Sequence, residues 1–384
     1  MIFIREGSHT HTLLLLLAYV GEYPAKSLHL LGKERTWKAL VQKLTRTQEY
    51  RLAETGVRAR CKLLVVSGKG KEKTIRLHAS AVRVLFNLNQ DAYQYYQTHF
   101  DCHHFSGNRF RIDRHHRVAE AFVMCLQAGI ITWPHKLPDH NSIEVAGNEI
   151  SGAMFYLSVA LKEFWEGEMN KTKFSRMVGA IVYPGGSYMV YNSRDALMKW
   201  SGNGESKLQS YLSFALARNT GVGYIDSAIL FGEDYLVALR TLEEVQRRRR
   251  YDLRFDNIYK HIHFIPLNDF GIKQLRTIVM EKWHEAHMEA LYGEENVGYR
   301  DGYFFEYDAI IDGVHHVSML EGDLCKLIRV KNSLKTDSKL VYDIVCYPEQ
   351  LEMIREYLVE FEGKNRINLR TTTIEQAMEC LLIE

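Results

Sequence analysis

The chain has 384 residues, of which 46% are hydrophobic and 25% charged, as in ordinary globular proteins. That length is enough for two or three domains, and only six prolines argue against long disordered linkers. The formal net charge of +2 is unevenly spread: residues 1–100 carry 16 Lys and Arg against 7 Asp and Glu, and the rest carries 33 against 40. A basic N-terminal module on a mildly acidic body indicates a phosphate-binding head.

A run of five leucines, Leu13–Leu17, is the stretch that suggests a signal peptide or a membrane span. The apolar run ends at Val20, well short of the roughly 20 residues that a spanning helix needs. No basic segment precedes it and no clear cleavage site follows, so we interpret it as a buried first helix. The six cysteines lack Cys-x-x-Cys spacing, which favours free thiols in a reducing cytoplasm.

The first 78 residues predict three helices followed by a β-hairpin. The predicted elements are a helix over residues 9–20 with Ser8 or Thr10 as its N-cap, helices over 24–31 and 33–44, two β-like runs within 49–66, and a return strand TIRLH. The glycine-flanked turn SGKGKEK separates the last two strands. This order of elements predicts a winged helix-turn-helix over residues 1–78.

Cations lie on the predicted outer face of the third helix and at the tip of the hairpin. The helix face and the turn beyond it carry Arg35, Lys38, Gln42, Lys43 and Arg46, and the tip carries Lys69, Lys71 and Lys73. A recognition helix places such a face in the major groove, although a solvated surface face would have the same composition. Lysines at a wing tip reach backbone phosphates. The predicted partner is therefore double-stranded DNA.

Beyond residue 78 the sequence predicts a helical connector and then a mixed body. Helices over 79–99 and 112–129 form the connector, residues 79–132, which would provide a dimer contact or join the body. The segment WPHKLPDHNS, residues 133–142, holds two of the six prolines and is the predicted boundary. In residues 143–384, strand-like runs alternate with helical ones, which predicts a mixed central sheet flanked by helices. The fold class is therefore α+β.

Particular body elements follow from local patterns. Strands are predicted over 153–161 and 177–183, a helix over 205–218, a strand over NIYKHIHFIPL, a helix over 271–290 and a hairpin that turns at Asp312–Gly313. The strand over 177–183 is predicted to turn through Pro-Gly-Gly into SYMVYN as a second hairpin.

The motif HIHFIP contains the strongest pattern for metal chemistry. His261 and His263 alternate around one residue of a predicted strand, so both rings point to one face and could ligate one divalent ion. Similar His-hydrophobic-His pairs in rolling-circle replication proteins and conjugative relaxases hold a metal beside a nucleophilic tyrosine, for which Tyr251 and Tyr259 are the nearby candidates. A chain with 17 histidines also produces such a pair by chance.

Three other groups of residues are weaker candidates. Glu205 and Lys207 have the acid-x-Lys spacing of restriction-endonuclease sites, with Glu168 and Asp195 as further acids, but the pair opens a predicted helix where such residues are ordinary. Histidines and a cysteine cluster at His99, Cys102, His103, His104, His115 and His116 without converging metal-ligand spacing. Four arginines, Arg247–Arg250, suit either a helix C-terminus or a phosphate. No Walker, Gly-x-Ser-x-Gly or Gly-x-Gly-x-x-Gly motif is present.

The stretches LLLLLAYVGEYPAKSLHLLG and KERTWKALVQKL, the lysine-tipped wing, and the body segments MFYLSVALKEF, YPGGSYMVYN and KLQSYL resemble replication-relaxation proteins of plasmids and integrative conjugative elements. The resemblance covers about the first 220 residues. It implies an N-terminal winged helix followed by an α/β, restriction-endonuclease-like body. The chain departs from the nuclease pattern, because it lacks an Asp…Glu-x-Lys set on predicted strands.

We therefore expect a cytoplasmic, sequence-specific DNA-binding protein of a mobile element that acts at an origin of replication or transfer. Its partners would be duplex DNA and replication or transfer proteins of the element, with a homodimer possible and no membrane. No cofactor is expected unless the body is a nuclease, which would need Mg²⁺ or Mn²⁺. The alternatives are a metal-dependent nickase that uses His261, His263 and a tyrosine, and a winged-helix transcriptional regulator with a dimerisation or ligand domain.

Overall fold

A computed structural model describes residues 2–100, 103–105, 107–132, 152–163, 176–198, 200, 202–220, 225–247, 254–297, 305–362, 365–379 and 381. The chain separates into an N-terminal unit, formed mainly by residues up to Gln127, and a C-terminal unit formed mainly by those after it. The connector predicted for 79–132 is therefore mostly part of the N-terminal unit. The boundary predicted for 133–142 lies outside the described residues. Both units mix helices and strands, as the α+β prediction requires.

The described residues of the N-terminal unit form five α-helices and six strands. In chain order these are β1 (Ile2–Ile4), α1 (His9–Val20), β2 (Glu22–Pro24), a 3₁₀ segment (Ala25–Leu31), α2 (Glu34–Leu44), β3 (Gln48–Leu52), β4 (Arg58–Cys61), β5 (Leu64–Ser67), β6 (Thr74–Leu77), α3 (Ala81–Leu88), α4 (Gln90–His99) and α5 (Arg109–Gln127). They form two three-stranded sheets, one with strand order β1-β3-β4 and an antiparallel one with order β2-β6-β5.

The first helix confirms its prediction. The Ser8 hydroxyl accepts a hydrogen bond from the backbone N–H of His11 and so caps α1. All five leucines are buried, which explains an apolar run that covers every side of the helix. No helix among the described residues is both long and apolar enough to cross a membrane.

Three predicted N-terminal elements differ in the structure. The second helix is a 3₁₀ segment, and Pro24 belongs to β2 rather than to a first helical turn. The helix predicted over 79–99 is two helices, because Asn89 takes an extended conformation and its side chain caps α4. The predicted run CKLLVV is divided between the end of β4 and the start of β5.

The described residues of the C-terminal unit form two sheets, so the prediction of one central sheet was wrong. Its elements are β7 (Met154–Leu157), α6 (Ser158–Glu163), β8 (Gly179–Tyr183), β9 (Gly186–Arg194), α7 (Gly202–Thr220), β10 (Ser227–Gly232), α8 (Tyr235–Arg247), β11 (His261–Pro266), α9 (Asp269–Ile278), α10 (Trp283–Tyr292), β12 (Ala309–Ile311), β13 (Val314–Ser318), α11 (Leu324–Thr336), β14 (Tyr342–Cys346), α12 (Pro348–Tyr357), α13 (Val359–Glu362), β15 (Ile367–Thr371) and α14 (Ile374–Glu379). The sheets have orders β11-β10-β9-β8-β7 and β12-β13-β14-β15.

Local turn chemistry decided several of these elements. Asp312 and Gly313 both have positive φ, 52° and 77°, and form the predicted two-residue turn between β12 and β13. The helix predicted over 271–290 is interrupted, because Lys282 takes a left-handed conformation with φ of 54°. The strand predicted over 153–161 ends at Leu157, where α6 begins.

The last helix docks through a histidine that cannot easily take a second proton. His287 on α10 is buried, and its Nε2–H donates to the backbone oxygen of Ala377 on α14 at 2.9 Å. Its Nδ1 is buried without a hydrogen-bond partner. Burial lowers the pKa of His287. A second proton, on Nδ1, would place a positive charge and an N–H group without an acceptor inside the protein.

We expect this histidine to make the protein less stable in acid. Its pKa is lower in the folded than in the unfolded chain, so the unfolded chain binds the proton first as pH falls below about 6.5. Stability should then fall by up to about 1.4 kcal/mol per pH unit for this group. Urea unfolding between pH 7.5 and 5 should show a flatter profile for His287→Gln, whose amide can still donate to Ala377. An unchanged profile in that variant would contradict the assignment.

Candidate functional site

A cavity of about 580 Å³ lies within the C-terminal unit, at the amino ends of three neighbouring strands. The parallel register of β9, β10 and β11 aligns Tyr188, Ser227 and His261 in one row across the sheet, and all three line the cavity. The segment that enters α10 and residues around α11 complete its walls. Neighbouring parallel strands thus bring side chains together that are up to 73 positions apart in sequence.

The two histidines of HIHFIP point into this cavity together, as the period of two in a strand requires. Their ring planes are within 12° of parallel, with centroids 6.2 Å apart. The Nδ1 of His261 donates to the Asp323 carboxylate at 2.7 Å, and the Nδ1 of His263 donates to the backbone oxygen of Glu321 at 3.2 Å. In the neutral rings both protons are therefore on Nδ1, and each Nε2 is left as an acceptor.

Asp323 organises the histidine side of the cavity. It is fully buried, and its Oδ1 accepts the backbone N–H groups of Ile262 and Cys325 at 3.0 and 2.9 Å. The second of these bonds caps α11. Burial alone would raise the pKa of Asp323, but the bond from His261 and the nearby Arg329 guanidinium hold that pKa well below its usual range. Asp323 is therefore an anion that fixes the orientation of the His261 ring.

A buried ion cluster lies beside the histidines. The Lys326 ammonium donates to the Asp308 carboxylate at 3.2 Å, to the backbone oxygen of Ser318 at 3.1 Å and to Oε1 of Glu321. Each of the three charged side chains is at most 3% exposed. Burial lowers the pKa of Lys326, but the two carboxylates outweigh it and the pKa is raised, so the lysine stays protonated.

Two stacked tyrosines form an aromatic wall of the cavity. Tyr183 and Tyr188 have ring centroids 5.2 Å apart, and the Tyr188 ring meets His263 edge to face at 5.3 Å. The Tyr188 hydroxyl donates to the backbone oxygen of Ile278, so Tyr183 donates to Tyr188 at 3.0 Å. Burial raises the pKa of both phenols, which keeps them neutral.

The structure does not bring Tyr259 to the two histidines. Its side chain is buried in the core, and its hydroxyl lies 2.7 Å from that of Tyr191, outside the cavity lining. Tyr251 lies outside the described residues. Of the two tyrosines that the nickase hypothesis names, Tyr259 is therefore not among the described residues that line the cavity with the two histidines.

Glu205 and Lys207 do not form an acid–lysine pair. Both are on α7, where Glu205 is buried and accepts from the Tyr191 hydroxyl at 2.8 Å and from the backbone N–H of Arg176 at 3.1 Å. Lys207 is exposed on the other side of the helix. Asp195 is exposed at the end of β9, and Glu168 lies outside the described residues. The helical placement of this motif explains why its two charges diverge.

The histidine-rich stretch and the arginine run have ordinary partners. His115 contacts the Glu22 carboxylate at 2.8 Å, His116 contacts Thr74 at 2.9 Å and His103 contacts Tyr96 at 2.6 Å, so they do not converge on one point. Arg247 ends α8, with an ion pair to Glu243 at 3.6 Å. Cys102 and residues 248–250 are not described. No group of three or more potential ligands within the described part of the chain is placed to hold a metal ion.

The residues expected to contact DNA are all on the surface of the N-terminal unit. Arg35, Lys38, Gln42, Lys43 and Arg46 are exposed on or just beyond α2. Lys38 forms a surface ion pair with Glu34 at 2.8 Å, one helical turn away. Lys69, Lys71 and Lys73 are exposed between β5 and β6. These two groups are therefore accessible to a large partner.

Sequence reasoning missed Asp308, Glu321 and Lys326, which line the cavity, and Asp323, which orients the His261 ring. One local signal was available, since Gly322-Asp323 before an apolar periodic run is a helix N-cap pattern. Comparison with known proteins adds no relative: no family model matches the sequence, and neither the curated proteins nor the solved structures give a match.

Proposed function

We propose that the N-terminal unit is a winged helix that binds double-stranded DNA. The observation that carries this proposal is the antiparallel sheet of order β2-β6-β5, in which the first strand follows α1 and the last two form a hairpin after α2. That connectivity is the one a winged helix-turn-helix needs, with α2 as recognition helix and the β5–β6 turn as wing. The β3–β4 hairpin is an insertion between those two parts.

The two faces of α2 support its role as a recognition helix. Trp37, Val41 and Leu44 are buried, and the Trp37 indole donates to the backbone oxygen of Leu31 at 2.9 Å. This bond anchors the helix to the preceding 3₁₀ segment. The opposite face, with Arg35 and Gln42 among its residues, is free of core contacts and presents groups that can bond base edges.

The charge distribution supports the same surface. The net charge of residues 1–100 is +9, against −7 for the rest, so the N-terminal unit is the part attracted to a polyanion. By its resemblance to replication-relaxation proteins, we propose that the DNA is an origin of replication or transfer of a mobile element. Footprinting on such an origin tests this role against that of a transcriptional regulator, which would protect a promoter operator.

Replacing Lys69, Lys71 and Lys73 with alanine is expected to weaken DNA binding and reduce its salt dependence. Each lost phosphate contact should lower the slope of log K against log salt by roughly 0.9 in magnitude, because fewer counterions are released. Fluorescence anisotropy with a labelled duplex, between 50 and 300 mM salt, measures both quantities.

The matched control is the triple alanine variant of Lys273, Lys335 and Lys339, three exposed lysines of the C-terminal unit. It removes the same charge and should leave the slope almost unchanged. Equal slopes for the wing variant and the wild type would exclude the β5–β6 turn as a phosphate contact. No binding of any duplex by the wild type would exclude the function itself.

A further inference from the structure

The cavity in the C-terminal unit presents hydrogen-bond acceptors more than donors. Its lining carries the carboxylates of Asp226, Glu281, Glu285, Asp308 and Glu321 and the ammonium groups of Lys282 and Lys326. Lys326 is already bonded to two of those carboxylates and to a backbone oxygen. The site therefore has an excess of negative charge, which repels phosphate and other anions and favours a cation.

One acceptor in this cavity is buried and unsatisfied. Glu321 is 3% exposed, and although its Oε1 contacts Lys326, its Oε2 has no hydrogen-bond partner among the described residues. A buried polar atom without a partner costs about 1–3 kcal/mol, and more when it carries charge. A positive charge placed beside this carboxylate would offset part of that cost.

A second acceptor is oriented by the same residue. The backbone oxygen of Glu321 holds the Nδ1–H of His263, so the Nε2 lone pair of this buried ring faces the cavity. Burial lowers the pKa of His263, which keeps Nε2 unprotonated at neutral pH. Glu321 thus supplies a negative charge directly and positions an acceptor through its main chain.

Aromatic rings complete the walls, and the cavity is large enough for a small organic molecule. Tyr183, Tyr188 and Trp283 line it, and aromatic faces attract organic cations within about 6 Å. Its volume of about 580 Å³ is within the range of roughly 300–1,000 Å³ that small-molecule sites occupy. No three potential ligands in the described residues are arranged for a metal ion.

We infer that this cavity binds a small organic cation that carries a primary ammonium or guanidinium group. The cationic group donates to His263 Nε2 beside the buried Glu321 carboxylate, and its carbon chain packs against the two tyrosines. This site is independent of the proposed DNA contact, since it lies within the C-terminal unit. The same chemistry fits a free diamine or a basic side chain of a peptide.

Isothermal titration calorimetry on the full chain tests the inference with agmatine, putrescine, N-acetyl-arginine amide and the uncharged 1,4-butanediol. We expect one equivalent of at least one cation to bind, and no binding of the diol. Glu321→Gln should weaken binding at least tenfold, because it removes the charge and places an amide donor at one of the two oxygen positions. Glu375→Gln, at an exposed ion pair with Lys273, is the matched control and should bind like the wild type.

Hydrogen exchange on the wild type gives a readout that needs no variant. The cation that binds should protect peptides that contain Trp283 and Glu321, and tighter binding of the arginine derivative than of agmatine would identify a peptide side chain as the source. The inference is overturned if no cation binds at millimolar concentration, if Glu321→Gln binds as well as the wild type, or if Mn²⁺ occupies the site and the organic cations do not compete with it.

Discussion

Replacing Asp323 with alanine is expected to lower the free energy of unfolding of the C-terminal unit by about 3–5 kcal/mol. Its carboxylate is fully buried and accepts from two backbone N–H groups and from His261, with Arg329 3.5 Å away. Alanine would leave two buried N–H groups unsatisfied, remove the cap of α11 and leave the Arg329 guanidinium with one carboxylate fewer. The N-terminal ends of β11 and α11 would both lose this carboxylate as a hydrogen-bond acceptor.

Urea unfolding measures this loss, and hydrogen exchange of peptides from β11 and α11 locates it. Asp323→Asn should cost less than alanine, because its amide oxygen can still accept from the N–H groups of Ile262 and Cys325. Asp269→Ala removes an exposed carboxylate from the first turn of α9 and should cost less than about 1 kcal/mol. A loss for Asp323→Ala no larger than for this control would show that the four contacts do not act together.

Replacing Lys326 with methionine is expected to have a comparable effect for a different reason. Methionine keeps the length and burial of the side chain but leaves Asp308 and Glu321 without their shared cation. Removing one partner of a buried ion pair typically costs about 3–5 kcal/mol, since the remaining charge stays desolvated. Protonation of a carboxylate can relieve part of that cost, so the loss should be smaller at pH 5 than at pH 8.

A double-mutant cycle separates the charge from the packing. Glu321→Gln combined with Lys326→Met removes one of the two anions, and the pair should be less destabilised than the sum of the single variants. Lys335→Met, an exposed lysine on the same helix with an ion pair to Glu360, should be nearly neutral. Additive single effects would show that Glu321 and Lys326 are not energetically coupled.

Patterns confined to a few neighbouring residues predicted local structure well. The fivefold leucine run is buried in α1, the 3.6-residue spacing of the third predicted helix matches α2, and Asp312–Gly313 forms a tight hairpin turn. Each of these depends on the period or the dihedral preference of the segment itself. The interruption at Lys282 could not be predicted in this way, because lysine has no preference for positive φ and tertiary contacts must impose it.

The candidate site was half predictable. The alternation of His261 and His263 places both rings on one face of any strand, and the strand was predicted. The partner of His261 is 62 positions away and the lysine of the ion cluster is 18 positions from Asp308, so no local pattern joins them. The acid-x-Lys spacing at Glu205 lies on a helix, as predicted, and a restriction-endonuclease site needs this spacing on a strand.

The sequence by itself determined the basic character of the N-terminal unit, the amphipathic pattern of α2, the lysines of the β5–β6 turn and the pairing of two histidines on one strand. Only the tertiary structure decided that the body has two sheets, that Tyr259 is in the core, and that Glu321 offers a buried, unsatisfied oxygen beside His263. The physical reason is that charge and periodicity are properties of a segment. A cavity depends on which remote segments are packed together, and that is set by burial and hydrogen bonding across the whole unit.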